Sequence, residues 1–139
     1  TLYGLTPLVN ETACGPDFYE EAKKSGHYIE LDPAMSMEEA KEYANKMDVL
    51  YTDTWVDMEF FNNPAYQKQK EETLAKMMPY QLNGDFTKDS KAIVFHDMPM
   101  HVGFEISQDV VDKNLDHILD EAENRRHAEK AVMYTLLNS

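Results

Sequence analysis

The chain has 139 residues, 42% of them hydrophobic, and carries 26 Asp plus Glu against 13 Lys plus Arg, a formal net charge of -13. This suffices for one domain around one core and is too short for two ordinary ones. The acidic surplus repels nucleic acid and anionic membrane over most of the surface, so neither is expected as the main partner, although a small anion can still be held by a local Arg.

No apolar run reaches the roughly 18 residues that a spanning helix needs, so no membrane association is expected. The single Cys14 excludes an intrachain disulfide and fits a reducing, cytoplasmic compartment. The start, Thr1-Leu2-Tyr3-Gly4, has no Met and no signal-peptide pattern, and a strand-like segment begins almost at once, as in a chain cut from something longer.

In chain order, apolar runs alternate with helix-like stretches, the pattern of a parallel sheet with helical crossovers. Leu2 to Thr6 is the first expected strand. Pro16-Asp17 opens a helix closed by Ser25-Gly26, with Gly26 as a left-handed cap. Tyr28 to Leu31 is a short second strand, broken by Asp32-Pro33. Ser36-Met37-Glu38-Glu39 has the form of a capping box, starting a helix that runs to about Lys46. Val49 to Thr52 is the third strand, followed by Asp53, Trp55, Asp57 and Met58. Asn63-Pro64 starts the next helix, which continues to about Met77.

The fourth strand, Ala92 to Phe95, ends abruptly in His96-Asp97-Met98-Pro99-Met100-His101. Pro99 cannot donate to a ladder, so the strand stops before it. A short helix follows from Ser107 through Val110 and Val111. His117-Ile118-Leu119 is expected as a fifth strand, and a last helix places Ala128, Ala131, Val132, Thr135 and Leu136 on one face.

In open α/β sheets, ligands sit just beyond the carboxyl ends of the strands. Three strand ends therefore collect the chemistry: Asp53 and Asp57, then His96 and Asp97, then Glu123-Asn124-Arg125-Arg126-His127. The set joins carboxylates suited to a cation with an Arg, near an expected helix start, suited to a phosphate or carboxylate. Each residue also has a plainer reading. Asp53 reads equally as a turn or cap residue, His96 as a hydrogen-bonded structural histidine, Trp55 as packing, and one of Arg125 and Arg126 as a solvated charge.

Four ordered segments carry a resemblance: Tyr51-Thr52-Asp53-Thr54-Trp55-Val56-Asp57-Met58, Tyr80-Gln81-Leu82-Asn83, His96-Asp97-Met98-Pro99, and Asp120-Glu121-Ala122-Glu123-Asn124-Arg125-Arg126-His127 running on to Val132. Over most of residues 48 to 137 the chain resembles the second domain of ornithine carbamoyltransferases, within the aspartate/ornithine carbamoyltransferase superfamily. Residues 1 to 47 agree in layout only. The resemblance implies a Rossmann-like α/β fold, a three-layer parallel sheet with helices on both faces. It also implies a domain that binds the amino acceptor, ornithine or a related amine, while a separate first domain binds carbamoyl phosphate. That first domain is expected to lie outside this chain, because its Ser-x-Arg-Thr phosphate loop is absent from all 139 residues. The active assembly implied is a homotrimer or a higher assembly of trimers, with no metal or other cofactor.

Carried over residue by residue, the resemblance gives Asp53 the acceptor's ammonium group and Arg125 a contact to carbamoyl phosphate. Met58 keeps its place in the family's Ser-Met pair, with Asp57 where the family has Ser. In the family's His-Cys-Leu-Pro segment, His96 and Pro99 are kept, Asp97 replaces Cys and Met98 replaces Leu. The expected substrate contacts are thus Asp53, Asp57, Met58, His96, Met98 and Arg125, with Asp97 and Arg125 closest to the chemistry. Two added carboxylates favour a dicationic amine, so a diamine stands close behind ornithine as the expected acceptor. An Asp97 beside a dianionic donor has to be neutralised by Arg125, by the acceptor or by its own protonation.

Two other classes fit some of these residues. A metal-dependent hydrolase would use His96, His101, Asp53 and Asp97. A receiver-like, non-enzymatic phosphoacceptor domain has about this length and an Asp after its third strand, but it needs an acidic pair after the first strand, where Thr6-Pro7-Leu8-Val9-Asn10 supplies none.

Overall fold

A computed structural model describes residues 1–6 and 15–138 of the chain. Cys14 and Pro7 to Asn10 lie outside the described residues. The element order is β1 (Leu2–Gly4), α1 (Pro16–Lys24), β2 (Tyr28–Glu30), α2 (Met37–Ala44), β3 (Val49–Thr52), α3 (Met58–Phe61), α4 (Gln67–Met77), β4 (Ile93–His96) and α5 (Gln108–Leu137), with single 3-10 turns at Pro64–Tyr66 and Met78–Tyr80. Helices alternate with strands that pair in parallel, which is the α/β architecture the alternation of apolar runs predicts. The chain divides into two compact units, Thr1–Ala40 and Lys41–Ser139.

In the first unit β1 pairs with β2, Leu2 opposite Tyr28 and Gly4 opposite Glu30. The strand stops at Gly4, two residues short of the expected Thr6. Helix α1 begins on Pro16 and is left through Gly26 at φ 72°, a conformation an L side chain resists. The capping box forms as read: the Glu39 amide donates to Ser36 Oγ at 3.2 Å, and the Ser36 amide donates to the Glu39 carboxylate at 2.9 Å. These bonds hold the Glu39 carboxyl below its ordinary range. Helix α2 ends at Ala44, slightly before the expected Lys46.

In the second unit β3 and β4 pair in parallel with Val49 opposite Ile93 and Thr52 opposite His96. The Asn63 side chain accepts from the Ala65 amide at 3.0 Å and opens a 3-10 turn that runs into α4, which ends at Met77 as expected. Strand β4 lies one residue later than expected, so His96 is its last member. The core is Leu82, Val94, Ile106, Val110, Val111 and Ile118, with Leu50, Phe86, Met98 and Met100 packed against it.

The main correction concerns the C-terminal third. His117-Ile118-Leu119 is not a strand, and the short helix after Ser107 and the last helix are one continuous 30-residue helix, α5. No Gly or Pro interrupts residues 108–137. Val110, Val111, Asn114 and Ile118 fall on one stripe at helical spacing, and all four are buried. A fifth strand would need the free edge of β4. There the Val94 amide instead donates to Asn114 Oδ1 at 3.1 Å, and Asn114 Nδ2 donates to the Val110 carbonyl at 2.9 Å, so α5 itself closes that edge. The expected apolar face of Ala128, Ala131, Val132, Thr135 and Leu136 is helical but exposed throughout. No helix among the described residues is long and apolar enough to cross a membrane.

Candidate functional site

The register of β3 on β4 builds the site. Because Thr52 sits opposite His96, the residues that follow, Asp53 and Asp97, leave the sheet side by side, with neighbouring parallel strands about 4.8 Å apart. Their carboxyl groups interact, and Asp97 is pushed above its ordinary range by burial first, then by hydrogen bonding with Asp53 and by the Asp53 charge; His96 and Arg125 pull it down by less. Asp53 is held in place by its neighbour: the Thr54 amide donates to Asp53 Oδ1 at 2.6 Å and the Thr54 hydroxyl donates to the same oxygen at 3.2 Å.

Asp97 Oδ2 lies 3.4 Å from Arg125 Nη2. Asp97 Oδ1 is buried and receives no hydrogen bond among the described residues. A carboxylate oxygen in that state lacks a donor, and an ammonium group supplies one. The Arg125 side chain is 58% exposed, so the contact is a rim pair, worth little by itself. Arg125 does not stand at a helix start as expected. It lies in mid-α5, where the macrodipole gives no help, and reaches Asp97 only because the fifth strand is a helix.

Two further groups join this cluster. The Tyr51 hydroxyl donates to Glu121 Oε1 at 3.4 Å, and its pKa is pushed up to about 12 by burial, then by the charges of Asp97 and Glu121. The phenol therefore stays a donor at any physiological pH. Glu121 is one helical turn before Arg125, so the two share a face of α5. That relation is invisible while residues 117–119 are read as a strand. Beside them a shallow groove of about 440 Å³ is lined by Phe95, Asp120, Glu121, Glu123, Asn124 and His127.

The other expected site residues fall differently. The His96 ring is fully buried, with Nδ1 3.5 Å from Asp97 Oδ1. Its Nδ1 accepts from the Met98 amide at 3.0 Å, and its Nε2 lies 3.3 Å from Glu105 Oε1. Met98 is half-buried against the core at φ 57°, in the left-handed region. Asp57 caps α3 without a side-chain hydrogen bond to it, and Met58 is exposed as the first residue of that helix. His101 stacks on Phe61, with ring centroids 3.6 Å apart. With both nitrogens of His96 already engaged and His101 turned onto Phe61, the residues named for a metal-dependent hydrolase do not converge. No group of three or more His, Cys, Asp or Glu among the described residues could hold a metal ion.

The arrangement is thus an acidic socket with one Arg at its rim, suited to an amine on one side and an anion on the other. Residues 1–136 match the family model described as aspartate/ornithine carbamoyltransferase, Asp/Orn binding domain. An ornithine carbamoyltransferase of Chlorobaculum tepidum is 40% identical over 99 residues, 70% of this chain and 28% of that protein. One of Mycolicibacterium smegmatis is 34% identical across 98% of this chain and 45% of its own length. Among solved structures, the anabolic ornithine carbamoyltransferase of Campylobacter jejuni superposes with a TM-score of 0.73 at 26% identity, covering 99% of this chain and 43% of that one. The chain therefore spans less than half the length of these relatives.

Proposed function

This chain belongs to the aspartate/ornithine carbamoyltransferase family, matching its Asp/Orn-binding domain, and on that basis we propose that it binds the amino acceptor in a carbamoyl transfer. The observation that carries the reading is the Asp53–Asp97 pair at the ends of β3 and β4, with a buried Asp97 oxygen that lacks a donor. In this proposal residues 1–139 are the acceptor half, and a carbamoyl-phosphate-binding domain outside them supplies the donor. A homotrimer and a cytoplasmic location belong to the same proposal.

The chemistry asks for little covalent help. The lone pair of a neutral primary amine attacks the carbamoyl carbon, the bond from that carbon to the phosphate oxygen breaks, and phosphate leaves with the electron pair. The nitrogen gives up one proton, which the departing phosphate takes. Rate enhancement then rests on orientation and on stabilising the charge that develops. Asp53 and Asp97 hold and align a cationic group of the acceptor, and Arg125 faces the phosphate of the donor. Asp57 and Met58 would border the acceptor from the start of α3, and Met98 would border it from the β4 turn. His96 acts through the turn it supports.

A diamine is a second reading of the acceptor, favoured by a specific observation. Asp97 and Glu121 lie together around Tyr51 with Arg125 as the nearby cation, so the socket is net acidic and unfavourable for a carboxylate. The test is the intact protein supplied with carbamoyl phosphate and either ornithine or a short aliphatic diamine, with the carbamoylated product and released phosphate both quantified. Transfer to either amine supports the acceptor reading, and a diamine preference of about tenfold or more supports the charge argument. A strong ornithine preference would remove the diamine; no transfer to any amine would overturn the function.

A further inference from the structure

Glu105 lies outside the substrate contacts considered so far, yet its side chain is fully buried and holds both ends of the loop that carries Asp97. Its Oε1 accepts from the His101 backbone amide and faces His96 Nε2 at 3.3 Å, while its Oε2 has no hydrogen-bond partner among the described residues. One oxygen thus ties the end of β4 to a residue five positions later. Three contacts bear on the tautomer of His96: the Met98 amide donates to Nδ1 at 3.0 Å, Nδ1 also lies 3.5 Å from Asp97 Oδ1, and Nε2 faces Glu105; the shorter, backbone contact decides. Nδ1 accepts the Met98 amide and so bears no proton, which leaves Nε2 as the N–H that donates to Glu105.

With Nδ1 as the acceptor, the ring holds the turn after β4 through the Met98 amide. Met98 holds φ 57°, a conformation that costs a non-glycine residue free energy and persists only where its surroundings impose it. The bond from its amide to His96 Nδ1 is one such constraint, and Asp97 is the residue enclosed by it. Glu105 is in turn anchored through its backbone. Its carbonyl accepts from the Leu82 amide at 3.0 Å, the Leu82 carbonyl accepts from the Ser107 amide at 3.0 Å, and Gln81 Nε2 donates to the Gly103 carbonyl at 3.0 Å. The Tyr80-Gln81-Leu82-Asn83 segment, far in sequence from the socket, is therefore the base on which Glu105 rests.

We infer that Glu105 is the positioning residue of the acceptor socket: it selects the Nε2–H form of His96, which holds the Met98 amide and so aims the Asp97 carboxylate at Asp53 and Arg125. The inference deepens the acceptor reading and rests on it for its functional consequence, but not for its structural one.

The test compares the intact wild-type protein with Glu105→Gln and Glu105→Leu. Gln keeps a carbonyl oxygen that can accept from both His96 Nε2–H and the His101 amide; Leu fills similar space and accepts nothing. Long-range proton–nitrogen NMR of the imidazoles should show His96 as the Nε2–H tautomer in the wild type and in Glu105→Gln. Acceptor KM should rise about tenfold in Glu105→Leu and change less than about threefold in Glu105→Gln, with the KM for carbamoyl phosphate unmoved in both. An Nδ1–H ring in the wild type overturns the inference, as does a Glu105→Gln variant that loses its acceptor as Leu does, or a Leu variant that keeps it. Should Glu105→Leu fail to fold, rescue by Gln together with the wild-type tautomer decides. If the protein transfers no carbamoyl group to any amine, the ring spectra and the Met98 amide shift still decide the structural claim, and the function fails separately.

Discussion

At Asp97, burial, a neighbouring carboxylate and a rim arginine act on a single carboxyl group, and the first two win, raising its pKa. The sign of the consequence is definite. A carboxyl whose folded pKa is raised binds its proton more tightly in the folded chain, so its contribution favours folding below the ordinary aspartate range. That contribution is lost as pH rises through the folded value. Asp97→Asn should therefore flatten the fall in stability between that ordinary range and neutral pH, measured as urea midpoints across the interval. Amine binding runs the other way, because a cation prefers the deprotonated pair. The affinity of a diamine for the wild type should rise with pH across the same window, and Asp97→Asn should weaken it about five- to tenfold and abolish the pH slope, as isothermal titration can read. The sequence made both aspartates visible as residues after strands; it could not show that their carboxyl groups interact, because that depends on register between β3 and β4.

At the scale of elements, α5 is where local pattern and tertiary outcome part. A triplet such as His117-Ile118-Leu119 reads equally as strand or helix when periodicity is sampled over so short a run. The spacing from Val110 to Ile118 resolves it, since one stripe of α5 is buried while Leu119 on another face is half exposed. Ile118→Ala should therefore cost about 3 kcal/mol, and Leu119→Ala less than about 0.5 kcal/mol, by urea denaturation. Equal costs would return the segment to a two-sided strand. The caps were readable because they are local: Ser36 with Glu39, Asn63 with Pro64, and Gly26 each act within four residues of themselves. The relay through Glu105 was not, since it joins residues from 81 to 107 that no short-range pattern links.

Across the whole molecule the charge of -13 acts as a single self-repelling set. Raising the ionic strength from low to physiological should increase the thermal midpoint of the chain by a few degrees, because screening weakens that repulsion more than it weakens the few rim ion pairs. The same salt should weaken diamine binding, so the two readouts move in opposite directions. A midpoint that falls with salt would mean that specific ion pairs outweigh the overall field.

Read by itself, the sequence determined the α/β class, the parallel pairing implied by alternating runs, the local caps and the family, because each depends on residue type within a short window or on ordered motifs along the chain. Only the tertiary structure decided that Arg125 reaches Asp97 from mid-helix, that Tyr51 and Glu121 lie beside them, and that the His96 ring is buried against Asp97 and Glu105. The physical reason is that these relations depend on the register of β3 against β4 and on α5 closing the free edge of β4, and both are set by packing between segments remote in sequence.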